Sequence, residues 1–295
     1  MIFQSPPVSL PMEWNLSVPK TFSFKRTVLS HGWCALPPFS FDKKNWTLTR
    51  VLLVSGEPRK VSIREGIQTI SVRTNESVSE QDKAQMTRDV RHMLRLDDDL
   101  DPFYRLASQS PEFEWIKDEG AGRLLRSPSV FEDLFKMMCT TNCSWSLTER
   151  MIDGIMKLGP AFPSAQQIAE QPLRFFTRIS AGYRAPFLKA LAAQIAAGKI
   201  NPEAWLHWKR TAAELKKEMK QIKGVGDYVA ENMLKLVGNY DGLALDSWIR
   251  KKFRTQYGNG RSVSDQTIER RYKKFGSWKG LALWCDMTRD WLESV

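Results

Sequence analysis

Apolar and polar positions alternate through the N-terminal quarter of the chain, where β-branched residues are frequent. Such alternation predicts half-buried strands. We predict strands at four segments, Thr21–Phe24, Trp46–Val54, Lys60–Ile63 and Gln68–Arg73. The turn-forming sequence SGEPRK at 55–60 separates two of them, which indicates an antiparallel sheet.

After the N-terminal quarter, the spacing of apolar residues is typical of helices. Residues 74–84 are polar and are predicted to form a connection, after which apolar residues recur at helical spacing. The clearest sets are Val130, Leu134, Met137 and Met138; Leu188, Leu191, Ala192 and Ile195; and Leu215, Met219 and Ile222. The fold class is therefore α+β, with an N-terminal sheet domain at 1–85 and a helical domain at 86–295.

The net charge of the chain indicates which class of molecule it binds. The net charge is +11, and residues 209–280 contain 17 Lys and Arg against 8 Asp and Glu. A basic block suits a polyanion such as nucleic acid, although a solvated surface would have the same composition. The sequence contains no run of about 18 apolar residues, so no membrane span is predicted. The N-terminal sequence MIFQSPPVSLPMEW lacks the features of a secretory signal. We therefore expect a cytoplasmic protein, nucleoid-associated in a bacterium or nuclear in a eukaryote.

The cysteines argue against a metal centre. Cys34, Cys139, Cys143 and Cys285 form no CxxC pair, and the three histidines lie far from them in sequence. Neither a zinc site nor an iron–sulfur cluster is expected, and no other cofactor is predicted. Cys139 and Cys143 are four residues apart on a predicted helix, where both can serve as packing residues.

Residues 215–237 combine an apolar-periodic helix, the turn Gly224-Val225-Gly226 and a second helix. Glycines permit positive φ and the close approach of another backbone. Asp227 can cap the second helix, whose first N–H groups lack intrahelical partners and form an anion site suited to a phosphate. This is the helix-hairpin-helix pattern, although glycines also end helices for structural reasons alone.

Asp246 stands between the apolar Leu243-Ala244-Leu245 and a second predicted helix. It can be the N-cap of that helix. It can also place a fixed negative charge at the mouth of a pocket, where the charge would stabilise the oxocarbenium-like transition state of N-glycosidic cleavage and orient water. The two roles are compatible because a capping residue is rigidly positioned.

The sequence resembles the helix-hairpin-helix-GPD superfamily of DNA glycosylases over residues 20–295. The resemblance lies in IKGVGDYVAENML (222–234), LALDSWIRKKF (243–253) and LRLDDDLDPFY (94–104). FEDLFKMMCTTNCSWSLTERMI (131–152) and ISAGYRAPF (179–187) are closest to the 8-oxoguanine branch, and HGWCALPPFSF (31–41) is similar to that branch and the alkylation-repair branch. The resemblance implies a TBP-like sheet and a two-part helical domain, with the target base flipped into the cleft between the two parts.

The same resemblance implies roles for individual residues. Asp246 falls on the catalytic aspartate, and Gly224, Gly226 and Val229 fall on the hairpin amides that hold a phosphate. Asn142 falls on a residue that enters the gap left by the flipped base, Tyr183 on a wedge in the duplex, and Arg184 on a reader of the unpaired base. Tyr228 and Trp248 are expected to line the base pocket.

Three positions depart from the 8-oxoguanine branch. Tyr228 stands where the lyase-competent members have a lysine, and a phenol cannot form a Schiff base. Leu147 replaces an expected arginine, and Trp248 replaces a histidine. The sequence therefore predicts a monomeric, monofunctional glycosylase that acts on double-stranded DNA containing a modified base.

The target base is left open as alkylated, oxidised or bulky, such as those in phage genomes. The alternatives are a bifunctional glycosylase/lyase that uses another amine, such as Lys223, and a non-catalytic DNA-binding protein.

Overall fold

The computed structural model describes residues 10–292, and the fold is α+β as predicted. The five strands of this part of the chain are β1 (Met12–Ser17), β2 (Phe39–Asp42), β3 (Thr47–Val54), β4 (Glu57–Gly66) and β5 (Thr69–Thr74). The α-helices are α1 (Phe24–Val28), α2 (Glu80–Met93), α3 (Asp101–Ala107), α4 (Trp115–Asp118), α5 (Val130–Cys139), α6 (Trp145–Ile155), α7 (Ala165–Ala169), α8 (Leu173–Arg178), α9 (Ala185–Ala196), α10 (Ala212–Met219), α11 (Asp227–Val237), α12 (Ser247–Tyr257), α13 (Asp265–Tyr272) and α14 (Lys279–Thr288). Short 3-10 helices occupy Gly32–Ala35, Met156–Leu158, Gly182–Arg184, Pro202–His207, Lys273–Trp278 and Arg289–Trp291. Within residues 10–292, no helix has both the length and the apolar character that a membrane span requires.

The strands form one antiparallel sheet in the order β1-β5-β4-β3-β2. The β3–β4 hairpin turns at Ser55 and Gly56, both with positive φ, as the SGEPRK sequence predicted. Alternate residues of β3 are buried, including Leu48 and Leu52, so one face of the sheet belongs to the core. The helical body that follows contains the three periodic segments, which fall on α5, α9 and α10, except that Ile222 lies in the turn after α10.

The predicted strand Thr21–Phe24 is wrong. Ser23 caps α1, its Oγ accepting a hydrogen bond from the amide of Arg26 at 3.3 Å, so the chain turns into a helix there. The edge strand β1 was missed because its backbone partner, β5, lies far along the sequence, and β2 was missed because it has only four residues, too few to show a clear alternation. The polar connection is also shorter than predicted, since α2 begins at Glu80 behind the capping residue Ser79.

A buried ionic cluster joins the sheet to the helical body. Arg50 on β3 donates two hydrogen bonds to Glu132 on α5, at 2.8 and 2.5 Å, and Lys136 contacts the same carboxylate at 2.6 Å. All three residues are buried. Burial opposes ionisation of Glu132, but Arg50 and Lys136 outweigh it and lower the pKa of this carboxyl to about 2. The cluster therefore fixes the sheet relative to α5.

Replacing Glu132 with glutamine should destabilise the protein by about 3–5 kcal/mol at neutral pH, because Arg50 and Lys136 would be left buried without a carboxylate. The Glu132 pKa is lower in the folded state, so its contribution is present above the unfolded value of about 4.3 and disappears as the pH falls toward 2. Urea unfolding of both proteins at pH 7 and pH 3 measures this difference. The control is Glu80→Gln, which removes an exposed carboxylate 3.6 Å from Lys83 and should cost less than about 1 kcal/mol. Equal losses for the two variants would contradict the structural role of the cluster.

Candidate active site

The predicted hairpin is formed by α10, the glycine turn and α11. Gly224 has φ +90°, and a Cβ on it would lie 2.9 Å from side-chain atoms of both Met138 and Phe187. This close approach packs the turn against α5 and the start of α9. Only glycine satisfies both the backbone conformation and the available space at this position.

Gly226 is the N-cap of α11 and provides no side-chain hydrogen bond to the helix. The first-turn amides, which include that of Val229, therefore keep their capacity to bind an anion, although the Val229 side chain is buried. The predicted capping role of Asp227 is wrong, because glycine occupies that position. Asp227 is instead the first helical residue and forms ion pairs with Lys216 at 3.0 Å and Lys220 at 2.9 Å.

Behind the hairpin lies a cavity of about 980 Å³ with walls from four parts of the chain. The segment from Leu29 to Lys43, which includes β2, supplies one wall. The end of α5 and the start of α6 supply the second, and one face of α11 supplies the third. The N-terminal end of α12, with Trp284 and Trp291, forms the fourth wall.

Asp246 lines this cavity and is also the N-cap of α12. Its Oδ1 accepts a hydrogen bond from the amide of Ile249 at 2.7 Å. The part of the chain that the structure describes gives Oδ2 no hydrogen-bond partner. The carboxylate is thus oriented through one oxygen and keeps the other for a ligand or water. Both sequence interpretations of this residue, capping and pocket placement, agree with the geometry.

The cavity face of α11 carries Tyr228, Asn232 and Lys235, a spacing of four and three residues. The Tyr228 hydroxyl lies 3.5 Å from Oγ1 of Thr140, and burial raises the pKa of this phenol. Nδ2 of Asn232 donates to the carbonyl of Tyr228 at 2.9 Å. Trp248, on the first turn of α12, is 38 % exposed and packs near Trp284 and Trp291, with ring centroids 6.1 and 5.6 Å apart.

Lys235 was not predicted as a site residue, yet it lines the cavity with only 2 % of its surface exposed. Its Nζ lies 3.4 Å from the carbonyl oxygen of Leu243 and 5.1 Å from the ring centroid of Trp284. Burial lowers the pKa of this amine to about 8, and Glu231 and Asp246 offset part of the effect. The available signal was its position seven residues after Tyr228, on the same helix face. Lys223, the amine considered from sequence, is exposed and lies outside the cavity wall.

Asn142, Tyr183 and Arg184 meet at a second place on the surface, where α5 ends. Nδ2 of Asn142 donates to the Tyr183 hydroxyl at 3.2 Å, and Tyr183 is 55 % exposed. Arg184 is only 5 % exposed. Its guanidinium donates to Oγ1 of Thr141 at 3.1 Å and also to the Thr141 carbonyl, while stacking 4.6 Å from the Tyr183 ring. In this conformation Arg184 supports Thr141 and Tyr183.

His31 and Cys143 also line the cavity. Because Nε2 of His31 lies 2.7 Å from the carbonyl of Leu125, it must carry the proton, and burial lowers the pKa of this ring to about 4. His31 is therefore neutral at pH 7. The predicted helix across Cys139 and Cys143 is wrong, since α5 ends at Cys139. Residues 10–292 contain no group of three or more His, Cys, Asp or Glu arranged to hold a metal.

Comparison with family models gave no match, and comparison with curated proteins gave none either. Solved structures do match in fold. The 3-methyladenine DNA glycosylase of Archaeoglobus fulgidus aligns with a TM-score of 0.77 and 18% identity, over 96% of this chain and 100% of that one. The 8-oxoguanine glycosylase/lyase of Clostridium acetobutylicum, bound to double-stranded DNA, aligns at 0.72 with 19% identity over 96% and 99%. A 3-methyladenine DNA glycosylase of Schizosaccharomyces pombe, in complex with abasic DNA, aligns at 0.51 with 18% identity over 69% and 96%. The chain thus has the fold of these DNA glycosylases.

Alanine at Gly224 should destabilise the protein more than alanine at Gly56. Both glycines have similar positive φ, +90° and +84°, but a Cβ on Gly56 would meet nothing within 4 Å. Gly56→Ala should cost about 1–2 kcal/mol for the backbone alone. Gly224→Ala should cost about 1–3 kcal/mol more because of the contacts with Met138 and Phe187. Chemical denaturation measures both variants, and equal losses would show that the hairpin is not tightly packed.

Proposed function

We propose that this protein is a monofunctional DNA glycosylase, which flips a modified base out of double-stranded DNA and hydrolyses its N-glycosidic bond. The observation that carries the proposal is the position of Asp246, a carboxylate oriented by a helix N-terminus at the wall of a large cavity. The uncapped first turn of α11 lies at the end of the helix whose other residues line the same cavity. A phosphate bound there would bring the adjoining nucleotide toward Asp246.

DNA binding is assigned to two groups of residues. The backbone at Gly224, Gly226 and Val229 would hold a phosphate through the free amides of α11. Tyr183, exposed and held by Asn142, would enter the duplex as a wedge, since an aromatic face can stack where a base has left.

Two neighbours of Tyr183 would also contact the DNA. Asn142 would occupy the gap beside it. Arg184 would read the unpaired base only after its guanidinium leaves Thr141.

The flipped base would enter the cavity between aromatic residues. Two aromatic residues line the cavity, Tyr228, which precedes Asp246 in the sequence, and Trp248, which follows it. Both offer a ring on which the base can stack. A volume of about 980 Å³ is at the upper end of the range for small-molecule sites, about 300–1,000 Å³. The cavity therefore has room for a base that carries a sizeable substituent, and volume alone excludes neither an alkylated nor an oxidised base.

Asp246 would act in the reaction through its charge. As the glycosidic bond lengthens, positive charge develops at C1′ and the ring oxygen, and a fixed carboxylate nearby stabilises this state. The oxygen that does not cap α12 would orient the attacking water. Hydrolysis then releases the base and leaves an abasic site.

Replacing Asp246 with asparagine should lower the rate of base release by about 10²–10³, because the charge is lost. Asparagine can still cap α12, so stability and duplex affinity should change little. Single-turnover release from a duplex that contains a substrate base measures the rate. The control is Asp265→Asn, which removes a half-exposed carboxylate paired with Arg250 at 2.8 Å. Wild-type turnover in a folded Asp246→Asn protein would exclude a catalytic role.

One observation favours a second candidate, a bifunctional glycosylase/lyase. Lys235 places an amine in the cavity wall, and an amine that attacks C1′ forms the Schiff base required for strand cleavage. Lys235 is seven residues beyond Tyr228, which is about 10 Å along the axis of α11. If the sugar lies beside Tyr228 and Asp246, the backbone of Lys235 is at the depth of the base. We therefore favour water as the nucleophile.

The product should accordingly be an intact abasic site. Reacted DNA should break only after hot alkali, and borohydride should trap no protein–DNA adduct. A Lys235→Met variant tested in parallel identifies the amine if an adduct does form. Strand breaks without alkali that disappear in this variant would establish the lyase candidate. Tight DNA binding with no base released from any modified duplex would instead favour a non-catalytic binding protein.

A further inference from the structure

We infer that the cavity selects an uncharged base with a lactam edge, a carbonyl oxygen beside an N–H, which Lys235 and Asn232 recognise. It should discriminate against cationic purines alkylated at N3 or N7. The inference rests on the proposed function and deepens it, because it names the chemical class of the base. It makes Lys235 a specificity-determining residue rather than a nucleophile.

The first argument is the unmatched charge of Lys235. Within residues 10–292 no carboxylate forms an ion pair with it, because the nearest candidates are engaged elsewhere. Glu231 pairs with Lys216 at 2.5 Å and accepts a hydrogen bond from the amide of Ala244 at 2.6 Å, and Asp246 caps α12. A buried ammonium with one long carbonyl contact, 3.4 Å to Leu243, has donor capacity left for a ligand. An acceptor oxygen on the bound base would use it.

The second argument is the position of Asn232, one turn before Lys235 on the cavity face of α11. Its Nδ2 donates to the carbonyl of Tyr228 at 2.9 Å, which orients the amide and leaves Oδ1 as an acceptor. An acceptor from Asn232 beside a donor from Lys235 complements a base edge with an N–H next to a carbonyl. Hypoxanthine, uracil and 8-oxoguanine have such an edge.

The tryptophan rings of the cavity wall would by themselves favour a cationic base, because the faces of these rings attract cations. Trp284 already faces the ammonium of Lys235, at 5.1 Å from the ring centroid. At comparable distances in a partly desolvated site, repulsion between two unit charges exceeds cation–π attraction. A second cation in the same cavity would therefore be disfavoured, while neutral bases could still stack on Tyr228 and Trp248.

The test compares duplexes that contain a single hypoxanthine, uracil or 8-oxoguanine with duplexes that contain 7-methylguanine, which has the same N–H and carbonyl edge but carries a positive charge. Base release and binding are both measured at pH 7, the binding with 2′-fluoro versions of the nucleotides that resist hydrolysis. Wild-type protein should bind at least one of the three neutral lactam bases more tightly than 7-methylguanine, with an affinity ratio of about ten or more. Lys235→Met should reduce that ratio at least about tenfold, whereas Lys235→Arg, which retains the charge, should largely preserve it. Lys60→Met, an exposed lysine on β4, is the matched control and should behave as wild type.

The outcomes separate the inference from the proposed function. A binding preference that disappears in Lys235→Met, with no base released by wild-type protein, would support the recognition site and overturn the glycosylase. Binding that favours 7-methylguanine over every neutral lactam base, in a protein that does release a base, would overturn the inference and leave the glycosylase intact. A preference that Lys235→Met does not change would also overturn it. Circular dichroism and thermal unfolding establish that the variants are folded, and the Arg variant tests the charge if Met is not tolerated.

Discussion

Two buried arginines hold the C-terminal end of α11, and the arrangement of the site depends on this interaction. Arg95 donates to the carbonyl oxygens of Lys235 and Leu236 at 3.0 and 3.4 Å, and Arg126 donates to that of Leu236 at 2.5 Å. The last carbonyls of a helix lack intrahelical partners and carry partial negative charge, so a guanidinium satisfies both needs. Asp98, 2.5 Å from Arg95, compensates part of the buried charge. With the opposite end packed through Gly224, α11 is fixed in position along its length.

The fixed position of α11 in turn determines where Asp246, the candidate catalytic residue, lies. After α11 the chain passes α14, where the amide of Gly280 donates to the carbonyl of Tyr240 at 2.8 Å. A Cβ on Gly280 would lie 2.0 Å from the carbonyl oxygen of Gly242, so this contact requires glycine. Glu231 on α11 accepts a hydrogen bond from the amide of Ala244, two residues before Asp246. These contacts hold the loop that brings Asp246 to the cavity face of α11.

The sheet contributes to the site through the segment that precedes β2. Trp145, the first residue of α6, packs so closely on Gly32 that a Cβ there would lie 2.2 Å from its ring. The Arg50, Glu132 and Lys136 cluster joins the neighbouring elements β3 and α5 from within the core. The wall from Leu29 to Lys43 is thus rigidly placed opposite α11. The enclosed volume follows from contacts between elements that are distant in sequence.

Local signals in the sequence determined the elements on which the site is built. Periodicity predicted α5, α9 and α10, the glycine turn predicted the hairpin, and Asp246 could be recognised as a helix cap, because these features depend on neighbours within about one helical turn. The edge strand β1 depended on a partner far along the chain. The contacts of individual polar residues also depended on distant parts of the sequence. Asp227 pairs with lysines of α10 instead of capping α11, and Arg184 bonds Thr141. Lys235 is buried at the cavity because of what packs around α11, and only the tertiary structure decides which face of a helix meets a cavity and which meets solvent.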